Sequence, residues 1–153
     1  MTSAISRWVI SWPVPFTLTM AAERIDDARA SLESGNMLPL VIERLVDGVF
    51  LGWLSVTRIA ERRGLLSYWL CEDYHGYGYM REALAVAFSQ AFRLLNLDVI
   101  EAAVQVQNER SLAVLHGFGM VILGERMIFA PARGRDERCI VLELRQPGEP
   151  SAI

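Results

Sequence analysis

The run His75-Gly76-Tyr77-Gly78-Tyr79-Met80 is where residue types and spacing in this chain point to chemistry. Gly76 and Gly78 let the backbone take positive φ and let a ligand approach closely. A helix is predicted from about residue 80 to 95, because Leu84, Ala87, Phe88, Ala91, Phe92 and Leu95 recur at three- and four-residue intervals. Gly78 and the residues after it would open that helix, so several N–H groups point forward without an intrahelical acceptor. No Ser, Thr, Asp or Asn stands where it would cap them. A phosphate-like anion can do so. A plain turn is an equal alternative on this segment alone. No third glycine completes a dinucleotide fingerprint, and no Gly-Lys-Ser/Thr completes a triphosphate loop.

The neighbouring elements must hold that loop. Residues 65–71 read as a strand, apolar and aromatic throughout, and so buried on both faces of a sheet. Residues 38–45 and 49–59 are two more strand-like runs around Val46-Asp47-Gly48, a hairpin signal, with Gly52 a candidate bulge. Glu61-Arg62-Arg63-Gly64 turns the second run into the strand before the loop, which predicts a three-stranded antiparallel meander. Ahead of it, residues 5–16, with Pro13 and Pro15, fit an edge strand or extended arm. Thr17 or Thr19 then caps a helix over roughly 21–32, ended by Ser34-Gly35-Asn36. After the central helix, Asn96-Leu97-Asp98 is a stop and residues 99–107 a strand. Asn108 caps a helix from 109 to about 117. Residues 119–129 and 138–144 are closing strands around a polar loop at 130–137, and 146–153 is a frayed tail.

At 153 residues, 52% hydrophobic and 22% charged, the chain suits one globular domain with a substantial core. A net charge of −3 without a basic block argues against nucleic acid as a partner. All fifteen basic residues are Arg, so there is no Lys to act as nucleophile or Schiff-base former. Cys71 and Cys139 stand apart in apolar runs, with only His75 and His116 besides, so buried thiols are expected rather than a disulfide framework or a metal site. The N-terminus lacks a signal-like charged and apolar sequence, and no apolar run reaches spanning length. A cytoplasmic protein with no membrane partner is expected.

Three stretches combine into a pattern. Tyr68-Trp69-Leu70 is followed by Tyr74-His75-Gly76-Tyr77-Gly78-Tyr79-Met80-Arg81-Glu82-Ala83; Asn108-Glu109-Arg110-Ser111 is followed by Val114-Leu115 and Gly119-Met120; and the hairpin of residues 39–59 lies upstream. Over roughly residues 38–145 the chain resembles the GCN5-related N-acetyltransferases (GNAT), most closely the branch that acetylates ribosomal-protein N-termini and related amines. The family patterns matched are Gln/Arg-x-x-Gly-x-Gly/Ala, often with Glu-Ala after it, and N-x-x-S…G-F. His75 stands where the family prefers Gln or Arg, Met80 where it prefers Gly or Ala, and Met120 where it has Phe. The N-terminal segment lacks that branch's arginine-containing first strand.

The resemblance implies an α/β (α+β) fold, a mixed, mostly antiparallel sheet of six to seven strands flanked by three to four helices. It implies acetyl-coenzyme A as co-substrate, no metal, and direct transfer to a primary amine. The pyrophosphate would sit on Gly76, Tyr77, Gly78, Tyr79 and Met80, with His75 and Arg81 at the ends of that run. The pantetheine arm would lie along Trp69, Leu70 and Cys71 as an added strand. A strand amide there would polarise the acetyl carbonyl. Asn108, besides capping its helix, is implied to contact the cofactor. Ser111 is implied at the cofactor and as proton donor to the leaving thiolate, with water as the alternative. Cys71 is read as an unactivated thiol, not an acetyl carrier. The general base stays open among Glu72, Asp73, Glu43, Glu101, Tyr68 and His75, with Glu72 and Glu101 carried forward. Two rival functions remain. One is a degenerate GNAT-fold module that binds or senses without efficient catalysis. The other is an interaction protein whose exposed Trp8–Trp12 arm docks a partner or a second protomer as a homodimer.

Overall fold

In the computed structural model, residues 1–148 are described; the end of the predicted tail, 149–153, lies outside them. The elements are α1 (Ser3–Ser6), α2 (Leu18–Glu33), β1 (Met37–Glu43), β2 (Phe50–Ala60), β3 (Arg63–Leu70), a 3₁₀ turn at Glu72–Tyr74, α3 (Tyr79–Leu94), β4 (Val99–Gln105), α4 (Glu109–Gly117), β5 (Val121–Ala130) and β6 (Arg135–Arg145). Six strands form one sheet in the order β1-β2-β3-β4-β6-β5. Every neighbouring pair is antiparallel except β3 and β4. α3 returns the chain over one face between those two strands, and such a crossover makes a pair parallel. This is the mixed, mostly antiparallel sheet, with four helices among the described residues, that the resemblance implies.

α3 lies on the sheet because its apolar stripe has nowhere else to go. Leu84, Ala87, Phe88, Ala91, Phe92 and Leu95 are all buried, against Leu54, Val56, Leu66, Leu70, Ile100 and Ala102 from the strands. Each large side chain so buried contributes about 1.5–3 kcal/mol. Met80 also enters this core, at 8% exposure. Its bulk therefore lies behind the glycine loop.

The centre of the sheet is split. β3 and β4 pair only from Arg63↔Val99 to Leu66↔Ala102. Beyond that, Ser67–Leu70 and Ala103–Gln105 separate, although β3 stays paired to β2 as far as Leu70 and β4 to β6 as far as Gln105. Main-chain groups on both inner edges are left facing a gap. A bulge adds to the distortion: Ile42 pairs with Gly52 but Glu43 with Phe50, so Leu51 is the extra residue. Gly52 thus sits beside the bulge, as the sequence predicts.

Three expectations are corrected. First, β3 is not buried on both faces. Leu66 and Leu70 are buried towards α3, whereas Leu65, Ser67 and Trp69 are half-buried and line a cavity. The cause is α2, which buries only Ala28 and leaves Ile25 and Leu32 exposed, at 45% and 50%. Second, residues 5–16 make no strand. After the single turn of α1 the segment is irregular, and arginines satisfy its carbonyls in place of a ladder. Arg133 Nη1 donates to Ser6 O (2.5 Å) and Val9 O (3.2 Å), and Arg24 Nη2 donates to Ser11 O (2.6 Å). Prolines lack the N–H a ladder needs. Trp12, read as exposed, is 5% exposed, its ring 5.1 Å from Trp69, 5.7 Å from Trp53 and 5.0 Å from Phe16. The arm is spent on this chain's own sheet, which removes the basis for a free Trp docking arm. Third, the loop expected at 130–137 is a turn of residues 131–134, because the β5–β6 ladder runs on to Ala130↔Arg135 and Gly134, at φ +62°, reverses the chain tightly.

Candidate active site

The glycine loop leaves β3 through the 3₁₀ turn and then takes φ +84° at Gly76 and +81° at Gly78. Gly78 is the N-cap of α3, with no side-chain cap. The first backbone bond closing on this end is Glu82 N–H to Gly78 O, 3.1 Å. The N–H groups of Gly76, Tyr77, Gly78, Tyr79, Met80 and Arg81 have no protein acceptor among the described residues. A Cβ built on Gly76 or Gly78 would meet nothing within 4 Å. Free donors therefore face open space at the positive end of a sixteen-residue helix, which fits a phosphate group by hydrogen bonding and charge alike.

From this loop the gap between β3 and β4 opens into a cavity of about 1370 Å³ that reaches through to the opposite face of the sheet. Trp69, Leu70, Glu72, His75, Met80, Asn108 and Ser111 line it, as do Tyr68 and Arg110. Its far wall is aromatic, built of Trp8, Trp12, Phe16 and Trp53. Trp69 brings a buried indole Nε1 that has no hydrogen-bond partner. Cys71, Gly76, Tyr77, Gly78, Tyr79 and Arg81 do not line the cavity but continue the chain at its Glu72–His75 edge.

Ser111 is brought in by α4. Asn108 Oδ1 accepts from Ser111 N at 3.2 Å, the predicted cap. Ser111 Oγ lies 2.6 Å from the Tyr68 hydroxyl of β3. Burial pushes the Tyr68 phenol from 10.0 up to about 12, outweighing the hydrogen bond to Ser111, which pulls it down. Tyr68 therefore keeps its proton at neutral pH and is no base. Because its pKa is higher folded than unfolded, its contribution to stability is intact below about pH 10 and is lost as pH rises towards about 12. Urea unfolding between about pH 9 and pH 12 is expected to show a loss about 1–3 kcal/mol larger than in Tyr68→Phe. An equal loss in both proteins would show that Tyr68 is not its source.

The remaining candidates separate. Glu72 is exposed at the edge of the cavity and accepts a hydrogen bond from Thr2 Oγ1. Glu101 lies on the closed part of the β3–β4 ladder, opposite Leu65, bound by Arg63 Nη1, and it does not line the cavity. Arg63 also reaches Glu143 at 3.4 Å, so Glu101 belongs to a charge network at the far end of the strands. The site therefore brings Glu72 towards Ser111's cavity and leaves Glu101 out. Cys139 is buried as expected, whereas Cys71, at the end of β3 where the chain leaves the sheet, is only half-buried; the burial it has still pushes its thiol up, against thiolate chemistry. Among the described residues no cluster of three or more His, Cys, Asp or Glu is arranged to hold a metal, and no helix is long and apolar enough to cross a membrane. The Tyr68–Ser111 contact and Arg110 escaped the sequence reading. Tyr68 and Ser111 are 43 positions apart and meet only when α4 docks on β3.

Residues 2–121 match the family model described as "Acetyltransferase (GNAT) domain". No curated protein matches the chain. Among solved structures, Mycobacterium smegmatis RimJ in complex with CoA-disulfide superposes with a TM-score of 0.78 at 26% identity, covering 97% of this chain and 78% of that one. The ribosomal-protein-S5-alanine acetyltransferase of Vibrio fischeri gives 0.75 at 26%, over 87% and 74%. The microcin C7 self-immunity acetyltransferase MccE, in complex with acetyl-CoA and AMP, gives 0.80 over 92% and 78%, but at 15% identity it supports the fold alone. With most of its length matched by the family model and its sheet split beside a glycine loop, this chain belongs to the GNAT acetyltransferases, enzymes that use acetyl-coenzyme A.

Proposed function

We propose that this protein transfers the acetyl group of acetyl-coenzyme A directly to a primary amine. The observation that carries this is one continuous space. It has His75 and Met80, the residues that bracket the glycine loop and its free N–H groups, at one edge, the unpaired inner edge of β3 along its side and the Tyr68–Ser111 hydroxyl pair within it. The loop would hold the pyrophosphate. Ser67–Leu70 would pair with the pantetheine amides as an added strand, with Trp69 and Leu70 at the reacting end. When bound, acetyl-coenzyme A supplies a thioester whose carbonyl accepts the amine. The C–N bond forms, the C–S bond breaks and the leaving thiolate takes a proton. Ser111 would donate that proton, with the neutral Tyr68 hydroxyl 2.6 Å from its Oγ as a second donor. Glu72, one of the carboxylates that line the cavity, would receive the ammonium proton directly or through water. The Vibrio fischeri relative at 26% identity is a ribosomal-protein-S5-alanine acetyltransferase, which favours a protein N-terminus as acceptor over a small amine.

Two measurements test the reading. Titration with acetyl-coenzyme A should show binding, and thiol release should follow when peptides with free N-termini are added. Binding with no release for any peptide or small amine would favour the sensing module. Ser111→Ala is expected to lower kcat about 10- to 100-fold while leaving the cofactor Kd nearly unchanged. An unchanged kcat would assign the proton to water or to the Tyr68 hydroxyl.

A further inference from the structure

Two side chains from opposite lips of the cleft meet across it. His75 opens the glycine loop after β3, and Arg110 is the second residue of α4 after β4. Arg110 Nη1 lies 2.6 Å from His75 Nδ1, and His75 Nε2 lies 3.0 Å from Leu70 O. A guanidinium can only donate, so Nδ1 accepts. The neutral ring then carries its hydrogen on Nε2 and donates it to the Leu70 carbonyl. The imidazole is a strut between the last residue of β3 and Arg110. It holds a cation without neutralising it, since its partner is a neutral ring. Arg110 is exposed, and its other N–H groups have no protein partner among the described residues.

We infer that Arg110, positioned by His75, is a ligand of the cofactor pyrophosphate, an assignment that rests on the function proposed above. The loop N–H groups supply hydrogen bonds and a partial helix charge, but a pyrophosphate brings full negative charges that a fixed cation meets better. A guanidinium presents several donors in one plane, so it can hold His75 with one and phosphate oxygens with the others. His75 supplies no cation of its own but recruits one from α4. Arg110 therefore joins α4 to the loop and closes the mouth of the split sheet over the phosphates.

Calorimetric titration with coenzyme A and with 3′-dephospho-coenzyme A tests this on the full chain and on Arg110→Ala, His75→Ala and the double variant. Both single substitutions are at solvent-accessible positions, and thermal unfolding confirms that each variant folds. Arg110→Ala is expected to weaken both ligands by the same factor, about 10- to 100-fold. His75→Ala should cost less, and should cost nothing further once Arg110 is gone, because it acts through that residue. Unchanged affinity in Arg110→Ala overturns the assignment. A loss confined to coenzyme A overturns it in favour of a 3′-phosphate contact. Independent, additive losses at the two positions overturn the positioning role of His75. Absence of binding by the unsubstituted protein overturns the proposed function and this assignment together.

Discussion

Gly78→Trp is expected to abolish detectable acetyl-coenzyme A binding, a loss of more than about 100-fold in Kd, while the protein stays folded. Gly78 is at φ +81°, and a Cβ there would meet no protein atom within 4 Å. The substitution thus clashes with nothing in the protein and costs only the left-handed strain, about 1–2 kcal/mol. Its indole would project from the N-cap of α3 into the space faced by the free N–H groups. Gly35→Trp is the matched control. Gly35 has φ +73°, equally open space around its Cβ, and lies at the end of α2. Both variants should lose similar stability in urea, and only Gly78→Trp should lose the cofactor. Full binding by Gly78→Trp would move the phosphate site off this loop.

Gly52→Ala should be the most damaging small substitution in the molecule. Gly52 lies on β2 opposite Leu70, beside the extra Leu51. A Cβ there would stand 2.1 Å from Trp69 O and 2.9 Å from Leu70 Cα, both main-chain atoms. Neither can rotate away, so β3 itself must shift, and with it the strand edge assigned to the pantetheine arm. Gly64, on the same strand pair, offers the comparison. Its added Cβ would meet Leu97 Cδ1 at 2.7 Å and Val56 Cγ1 at 2.8 Å, which are buried side-chain atoms and not main chain. Urea midpoints are expected to show a loss of about 3 kcal/mol or more for Gly52→Ala and about 1–2 kcal/mol for Gly64→Ala. Equal losses would mean that β3 is free to move away from β2. Cofactor affinity should fall in Gly52→Ala and hold in Gly64→Ala.

Local rules explain which features were legible in the chain alone. The stripe from Leu84 to Leu95 is buried as its spacing predicts, because a helix with one apolar face must turn that face inward. Asn108 caps α4 and Thr17 caps α2, because a short oxygen-bearing side chain at a helix start meets an orphan N–H wherever the helix lies. Gly76 and Gly78 take positive φ because the loop must turn sharply between strand and helix. Where local rules conflict with packing they mislead. Prolines 13 and 15 suggest an extended arm, yet burial of Trp12 against Trp53 and Trp69 outweighs extension and folds the arm onto the sheet.

Sequence by itself determined the order of the elements from residue 17 onward, the helix caps, the glycine turn and, through the joint spacing of its motifs, the GNAT family. The caps and the turn depend on residues within a few positions of one another, and the family on how such local motifs are spaced along the chain. Tertiary structure decided which chemically capable residues share a space. Glu72 and Glu101 are equivalent as carboxylates near strand ends, but Arg63 and the closed ladder hold Glu101 away from the cavity. Tyr68 meets Ser111, and His75 meets Arg110, across 43 and 35 positions. Such contacts follow from where β3 and β4 part and α4 docks, and that geometry is set by the whole sheet, beyond the reach of any local pattern.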